Sequence, residues 1–161
     1  MEKNKILFDD IDVHNLLFRQ WHPIIKKFTS GLNNDCVSKV VKNTQVSYFD
    51  ISKYKAVNNF TNSEKCKEIL TRIKKEKSTD KFLKILEERD SIHPRDIKRK
   101  YSIEEILKLV SKNEYHPLLF LELEKKYYII DGRTRLYCCI FLNVPAKVRI
   151  VSEKNLYESC K

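Results

Sequence analysis

Glycine is nearly absent from this chain: only Gly31 and Gly132 occur among its 161 residues. In so glycine-poor a sequence, a glycine marks a place where the backbone needs one. Cysteine occurs at positions 36, 66, 138, 139 and 160, but nowhere with the Cys-x-x-Cys spacing of a zinc site. The count is odd, and adjacent Cys138 and Cys139 point to different faces of a helix, which disfavours a ready-made disulfide. Metal binding through thiols is disfavoured as well. Long apolar runs are also missing. The opening Met1-Glu2-Lys3-Asn4-Lys5 lacks the apolar core of a signal peptide, and no stretch is long enough to cross a membrane. Together these absences predict a soluble protein of a reducing cytoplasm, with no membrane partner.

What is present is charge of one sign. The net charge is +10 and the pI about 9.3, a balance that favours polyanionic partners, whether nucleic acid, nucleotides or an anionic membrane surface, with nucleic acid or nucleotides foremost. At 42% hydrophobic and 34% charged, the chain has enough apolar material for a core, which argues against wholesale disorder. Its length suits one domain, or one domain with an elaborated end.

Residues 1–43 read as a helical N-terminal extension. A helix is predicted from about Asp12 to Ser30, with Leu16, Leu17, Trp21, Ile24 and Phe28 on one stripe, bent or divided at Pro23 and stopped by Gly31. A short strand is expected at about Gln45–Ile51. Two lysine-rich helices follow, at about Ser63–Lys77 and Thr79–Asp90, with inner faces at Ile69, Leu70, Ile73 and at Phe82, Leu83, Ile85, Leu86. Residues 61–100 carry 13 Lys/Arg against 8 Asp/Glu, a local excess of +5 out of +10.

The last third has the clearest pattern. Ser102 with Glu105 is a capping-box signature, and Ile103, Ile106, Leu107 and Val110 keep the spacing of a buried helix face. Leu118–Leu123 and Tyr127–Ile130 read as strands, Asp131-Gly132 opens a helix to about Leu142, and Ala146–Val151 alternates as a closing strand. The C-terminal tail reads as frayed. The order predicts an α/β (α+β) fold: a small mixed sheet with helices over 44–161, interrupted by a basic helical insertion at about 61–100.

The turn Asp131-Gly132-Arg133-Thr134-Arg135 carries the most chemistry. A helix N-terminus offers backbone N–H groups and the positive end of the helix dipole. Glycine before it lets an anion approach the backbone, and arginine supplies forked donors matched to phosphate oxygens. Thr134 adds a hydroxyl; Asp131 can cap the helix, hold an arginine or bind magnesium. The plainer reading is a structural turn with its arginines in salt bridges.

The run Tyr127-Tyr128-Ile129-Ile130-Asp131-Gly132-Arg133-Thr134-Arg135-Leu136-Tyr137, followed by Val144-Pro145-Ala146-Lys147-Val148-Arg149-Ile150-Val151, resembles the N-terminal domain shared by ParB-like proteins and sulfiredoxin. Gly132-Arg133-Thr134-Arg135 fits that family's Gly-x-x-Arg phosphate motif, and the resemblance is best over 101–151. It implies binding of a nucleoside triphosphate, ATP or CTP, with magnesium. Phosphate contact would come from Gly132, Arg133, Thr134 and Arg135, with Asp131 beside them. It further implies nucleotide hydrolysis, DNA cleavage or phosphorylation of a small metabolite such as free serine. Arg133 stands where sulfiredoxin has its cysteine, which argues against sulfinic-acid repair. The chain stops ten residues after Val151, which argues against the helix-turn-helix module of a stand-alone partition protein.

Further candidates are weaker. His116, leading into the strand before the turn, and Glu105 are the other candidate catalytic groups, against default roles as a loop residue and a helix cap. Arg95, Lys98, Arg99 and Lys100 form the densest basic patch and a candidate nucleic-acid contact. The expected activity is an NTPase or nuclease. The rivals are a non-catalytic DNA-binding regulator and a small-metabolite kinase.

Overall fold

The computed structural model of the chain describes residues 34–50, 63–92, 101–123 and 126–160. The helix expected over 12–30 lies outside them. The described elements run α1 (Asn34–Asn43), β1 (Val46–Phe49), α2 (Ser63–Lys75), α3 (Thr79–Ile92), α4 (Ile103–Ser111), β2 (Leu118–Leu123), β3 (Lys126–Asp131), α5 (Arg133–Leu142), β4 (Ala146–Ser152) and α6 (Glu153–Cys160). The fold is mixed α/β, as the alternating helix and strand patterns implied.

The four strands form one mixed sheet in the order β1-β4-β2-β3. β2 and β4 are parallel, with Leu118 opposite Val148 and Leu121 opposite Val151. β1 pairs antiparallel with β4, and β3 antiparallel with β2. Leu118, Leu119, Phe120 and Leu121 are each at most 1% exposed. Burial on both faces explains why this central strand reads as a continuous apolar run rather than an alternation.

On one face, Leu118, Phe120, Ala146 and Val148 pack under α2, α3, α4 and α5 in a single core. Ile69 and Ile73 of α2 and Phe82, Ile85 and Leu86 of α3 belong to it. The segment read as an insertion therefore supplies part of the domain's own core. Phe82 stacks on Phe141 with ring centroids 4.2 Å apart, tying α3 to α5. Helix α5 lies against α2, α4 and β2, and every residue from Thr134 to Ile140 is buried.

The opposite face carries Leu119, Leu121 and Val151, covered by Val37 and Val41 of α1 and Leu156 of α6. Here two expectations are corrected. The tail taken as frayed forms α6, because Leu156 and Cys160 fall four residues apart on one buried stripe. Helix α1, on the extension side of the expected boundary at 43, packs as part of the same domain. Its Cys36 forms a disulfide with Cys160, 124 residues later. Such bridges are rare in reducing compartments, and the pairing of positions 36 and 160 was not readable from their spacing. Arg149 Nη1 donates to the carbonyls of Lys42 (3.1 Å) and Thr44 (2.6 Å), satisfying acceptors at the end of α1. No helix among the described residues is long and apolar enough to cross a membrane.

Candidate phosphate site at the start of α5

The path into the turn is set by β2 and β3. Phe120 faces Ile129, yet Leu119 faces Asp131, so Ile129-Ile130-Asp131 oppose only two residues of β2. A β-bulge of this kind bends a strand and re-aims the residues after it. The backbone of Asp131 closes β3; its side chain, the candidate catalytic and magnesium-holding carboxylate, lies outside the described part of the structure.

Gly132 follows as the N-cap of α5 at φ 104°, ψ 24°, and its carbonyl accepts the first helical bond, from Leu136 N at 2.8 Å. Two independent facts require glycine. L-residues with side chains are strained at this φ, and a Cβ here would fall 2.7 Å from Leu118 Cγ and 3.1 Å from Arg135 Nη2. Having no side chain, Gly132 caps none of the amides of the first turn.

Arg135, expected to touch phosphate directly, is only 7% exposed. Its Nη1 donates to the carbonyl of His116 at 2.5 Å and of Pro117 at 3.3 Å. A buried guanidinium is tolerable where acceptors meet its fork, and these carbonyls fasten the start of β2 to the start of α5. His116 lies beside the turn through its carbonyl, but its side chain is buried at 7% exposure.

Thr134 is also buried, and its Oγ1 accepts a long 3.4 Å contact from Arg89 Nη1 of α3. The Arg89 guanidinium lies 5.6 Å from the Tyr137 ring centroid, within cation–π range. Arg133 is half-buried at the rim. The first turn of α5 thus holds Arg133 and Arg135 and no acidic residue. Cations at a helix N-terminus oppose the helix dipole, by about 0.3–1 kcal/mol each at exposed positions. A bound anion would offset that repulsion, because it is attracted both by the dipole and by the arginines.

Arg89 was not singled out in the sequence, where it is one more basic residue on a lysine-rich helix. Glu105 sits in the capping box: its Oε1 accepts from Ser102 N at 3.2 Å while Glu105 N donates to Ser102 Oγ at 3.1 Å. That is its default role as a cap. Arg95, Lys98, Arg99 and Lys100 lie outside the described residues. Cys138 and Cys139 are both fully buried, and burial pushes the Cys139 thiol pKa up, keeping it protonated. No family model matches the chain, and neither curated proteins nor solved structures contain a significant match to it.

Proposed function

We propose that the protein binds the phosphates of a nucleoside triphosphate, ATP or CTP, at the turn between β3 and α5, in the manner of ParB/sulfiredoxin-like proteins. The observation that carries this reading is the electrostatics of α5. Its first turn has two arginines and no acid, a glycine N-cap, and a third arginine reaching it from α3. Arg135 and Arg89 also have structural partners, the carbonyls of His116 and Pro117 and the ring of Tyr137, but cations at the positive end of a helix dipole oppose that dipole, and a phosphate bound there is attracted by both.

Roles follow from exposure. The backbone amides after Gly132 and the rim residue Arg133 contact phosphate, and Arg89 with Thr134 forms the wall towards α3. Arg135 is a positioning residue: from below the turn it holds the backbone in shape and adds positive potential. His116 supplies the carbonyl that anchors Arg135. Magnesium accepts oxygen ligands from one or two carboxylates together with substrate phosphates. Asp131, next to the glycine, is the carboxylate that would hold it, and the ion would offset the phosphoryl charge that develops during hydrolysis.

The reading is tested by titrating ATP, CTP and duplex DNA against wild type, Arg89→Ala and Arg133→Ala. A lost charge-assisted hydrogen bond is worth about 1.5–3 kcal/mol, so each variant should bind its nucleotide roughly 10- to 150-fold more weakly. Unchanged affinity for every phosphorylated ligand in both variants removes the assignment. Turnover that disappears in Asp131→Ala identifies an NTPase; DNA cleavage with the same dependence identifies a nuclease. Phosphate transfer to free serine would identify a metabolite kinase, and tight binding without turnover a regulator.

A further inference from the structure

A second concentration of positive charge lies at the other end of α3. Where α2 ends and α3 begins, Arg72, Lys75, Glu76, Lys81, Lys84 and Ile85 line a cleft of about 410 Å³. Its one carboxylate is turned into the corner. Glu76 Oε2 accepts from Lys77 N at 2.9 Å and Ser78 N at 3.0 Å, pinning the link between the helices. Arg72 reaches across to Glu88 at 2.7 Å, bracing the two helices against each other. Lys75, Lys81 and Lys84 are all exposed and make no ion pair within salt-bridge distance among the described residues. Lys81 lies near enough to Glu76 to add to the Ser78 and Lys77 amides in holding its carboxyl below the usual range, and the cleft keeps a net excess of positive charge.

Solvated lysines on a helix are commonplace, but these come from two helices and face one concavity whose floor is the buried Ile85. Mutual repulsion of three ammonium groups around one cleft is relieved by an anion placed between them. The cleft has no aromatic wall to stack a base and no amide or hydroxyl side chain to read one. Compact ammonium groups around an open cleft suit a repeating backbone charge.

We propose that this α2–α3 corner is a nucleic-acid contact that grips backbone phosphates without reading sequence, separate from the turn at α5. Lys81 precedes Arg89 by eight residues of α3, about 12 Å of helix rise, so the two sites are distinct. The contact needs no nucleotide at the turn.

The test is fluorescence anisotropy of the full chain with a labelled DNA of about 20 nucleotides, single-stranded and as a duplex, across a salt series. Each lysine–phosphate contact contributes about 0.9 to the log–log salt slope on duplex and about 0.7 on single strands. Lys75→Ala/Lys81→Ala/Lys84→Ala should therefore flatten the slope by about 2.7 or about 2.1 respectively, and weaken binding at least about tenfold at 0.1 M salt. All three residues are exposed, so the variant should melt within a few degrees of wild type. The control is Lys39→Ala/Lys108→Ala/Lys112→Ala, equal in charge and exposed on α1, at the end of α4 and just after it. It should keep most of the affinity. An equal loss in the control would show that net charge alone is responsible and overturn the proposal. So would an unchanged slope in the cleft variant, or no DNA binding by wild type. Binding of poly-glutamate but not DNA, dependent on the same lysines, would overturn the nucleic-acid assignment in favour of an acidic protein partner. Arg133→Ala should leave the cleft's share of the slope intact, which separates this contact from the nucleotide reading.

Discussion

Replacing Gly132 with alanine tests the geometry of the turn most directly. At φ 104° a side-chain-bearing L-residue is strained by about 1–2 kcal/mol. The added Cβ would fall 2.7 Å from Leu118 Cγ, and Leu118 is fully buried in the central strand, so it cannot swing aside. Overpacking of this kind costs about 1–3 kcal/mol. Stiffening the unfolded chain returns about 0.4–1 kcal/mol. The net loss is about 1–4 kcal/mol, read as a shift in the urea midpoint at constant m-value or a fall in Tm of about 2–16 °C for a domain of this size. A double-mutant cycle isolates the collision: in a Leu118→Ala background the added methyl has room, so the two changes should be less than additive by about 1–3 kcal/mol. On the proposed reading of the turn, stabilisation by added nucleotide should also fall in the same variant, because the amides behind Gly132 are displaced. An alanine variant within about 0.5 kcal/mol of wild type, or strictly additive with Leu118→Ala, would refute the reasoning.

Two further predictions concern parts of the molecule away from the turn. The Cys36–Cys160 bridge closes a loop with a sequence separation of 124, for which chain entropy gives at most about 4.9 kcal/mol at 25 °C. Cys36→Ser/Cys160→Ser should therefore melt well below wild type and be insensitive to reductant, and equal melting of oxidised and reduced wild type would contradict the bridge's role. Burial pushes the pKa of the Tyr115 hydroxyl and of the Cys139 thiol up, so both groups are neutral in the fold. Their contribution is complete below the unfolded values, about 8.5 for a thiol and about 10 for a phenol. It is lost as pH rises through the folded ones, by up to about 1.4 kcal/mol per pH unit for each proton. Denaturation at stepped pH should show stability declining above about pH 9, and Tyr115→Phe should lessen the part of the decline that begins near pH 10.

The sequence was most legible where side chains repeat with a helix or strand period. The inner faces of α2 to α5 and the four strands fall where Ile69, Phe82, Ile106, Leu136 and their neighbours placed them. It was least legible where a distant partner decides the outcome. Val37 and Leu156 sit in short segments with few apolar residues, and each becomes core only because the other covers the same face of the sheet. Arg135 shows the same limit within the site. A charged residue reads as surface, and what buries it is a pair of carbonyls 19 and 18 residues earlier, at His116 and Pro117. Arg89 reaches Thr134 across 45 residues of sequence, a separation that carries no periodic signal.

The covering of the sheet by α1 and α6 also has a consequence for biosynthesis. The core under α2 to α5 is complete once β4 is in place, but among the described residues Leu119, Leu121 and Val151 have only α1 over them until α6 has left the ribosome and adds Leu156. During that interval α1 lacks its contacts with α6, and Cys36 waits 124 residues for its partner. A nascent chain arrested after Ser152 should expose an apolar sheet face, bind a holdase chaperone, and release it when elongation continues through Cys160.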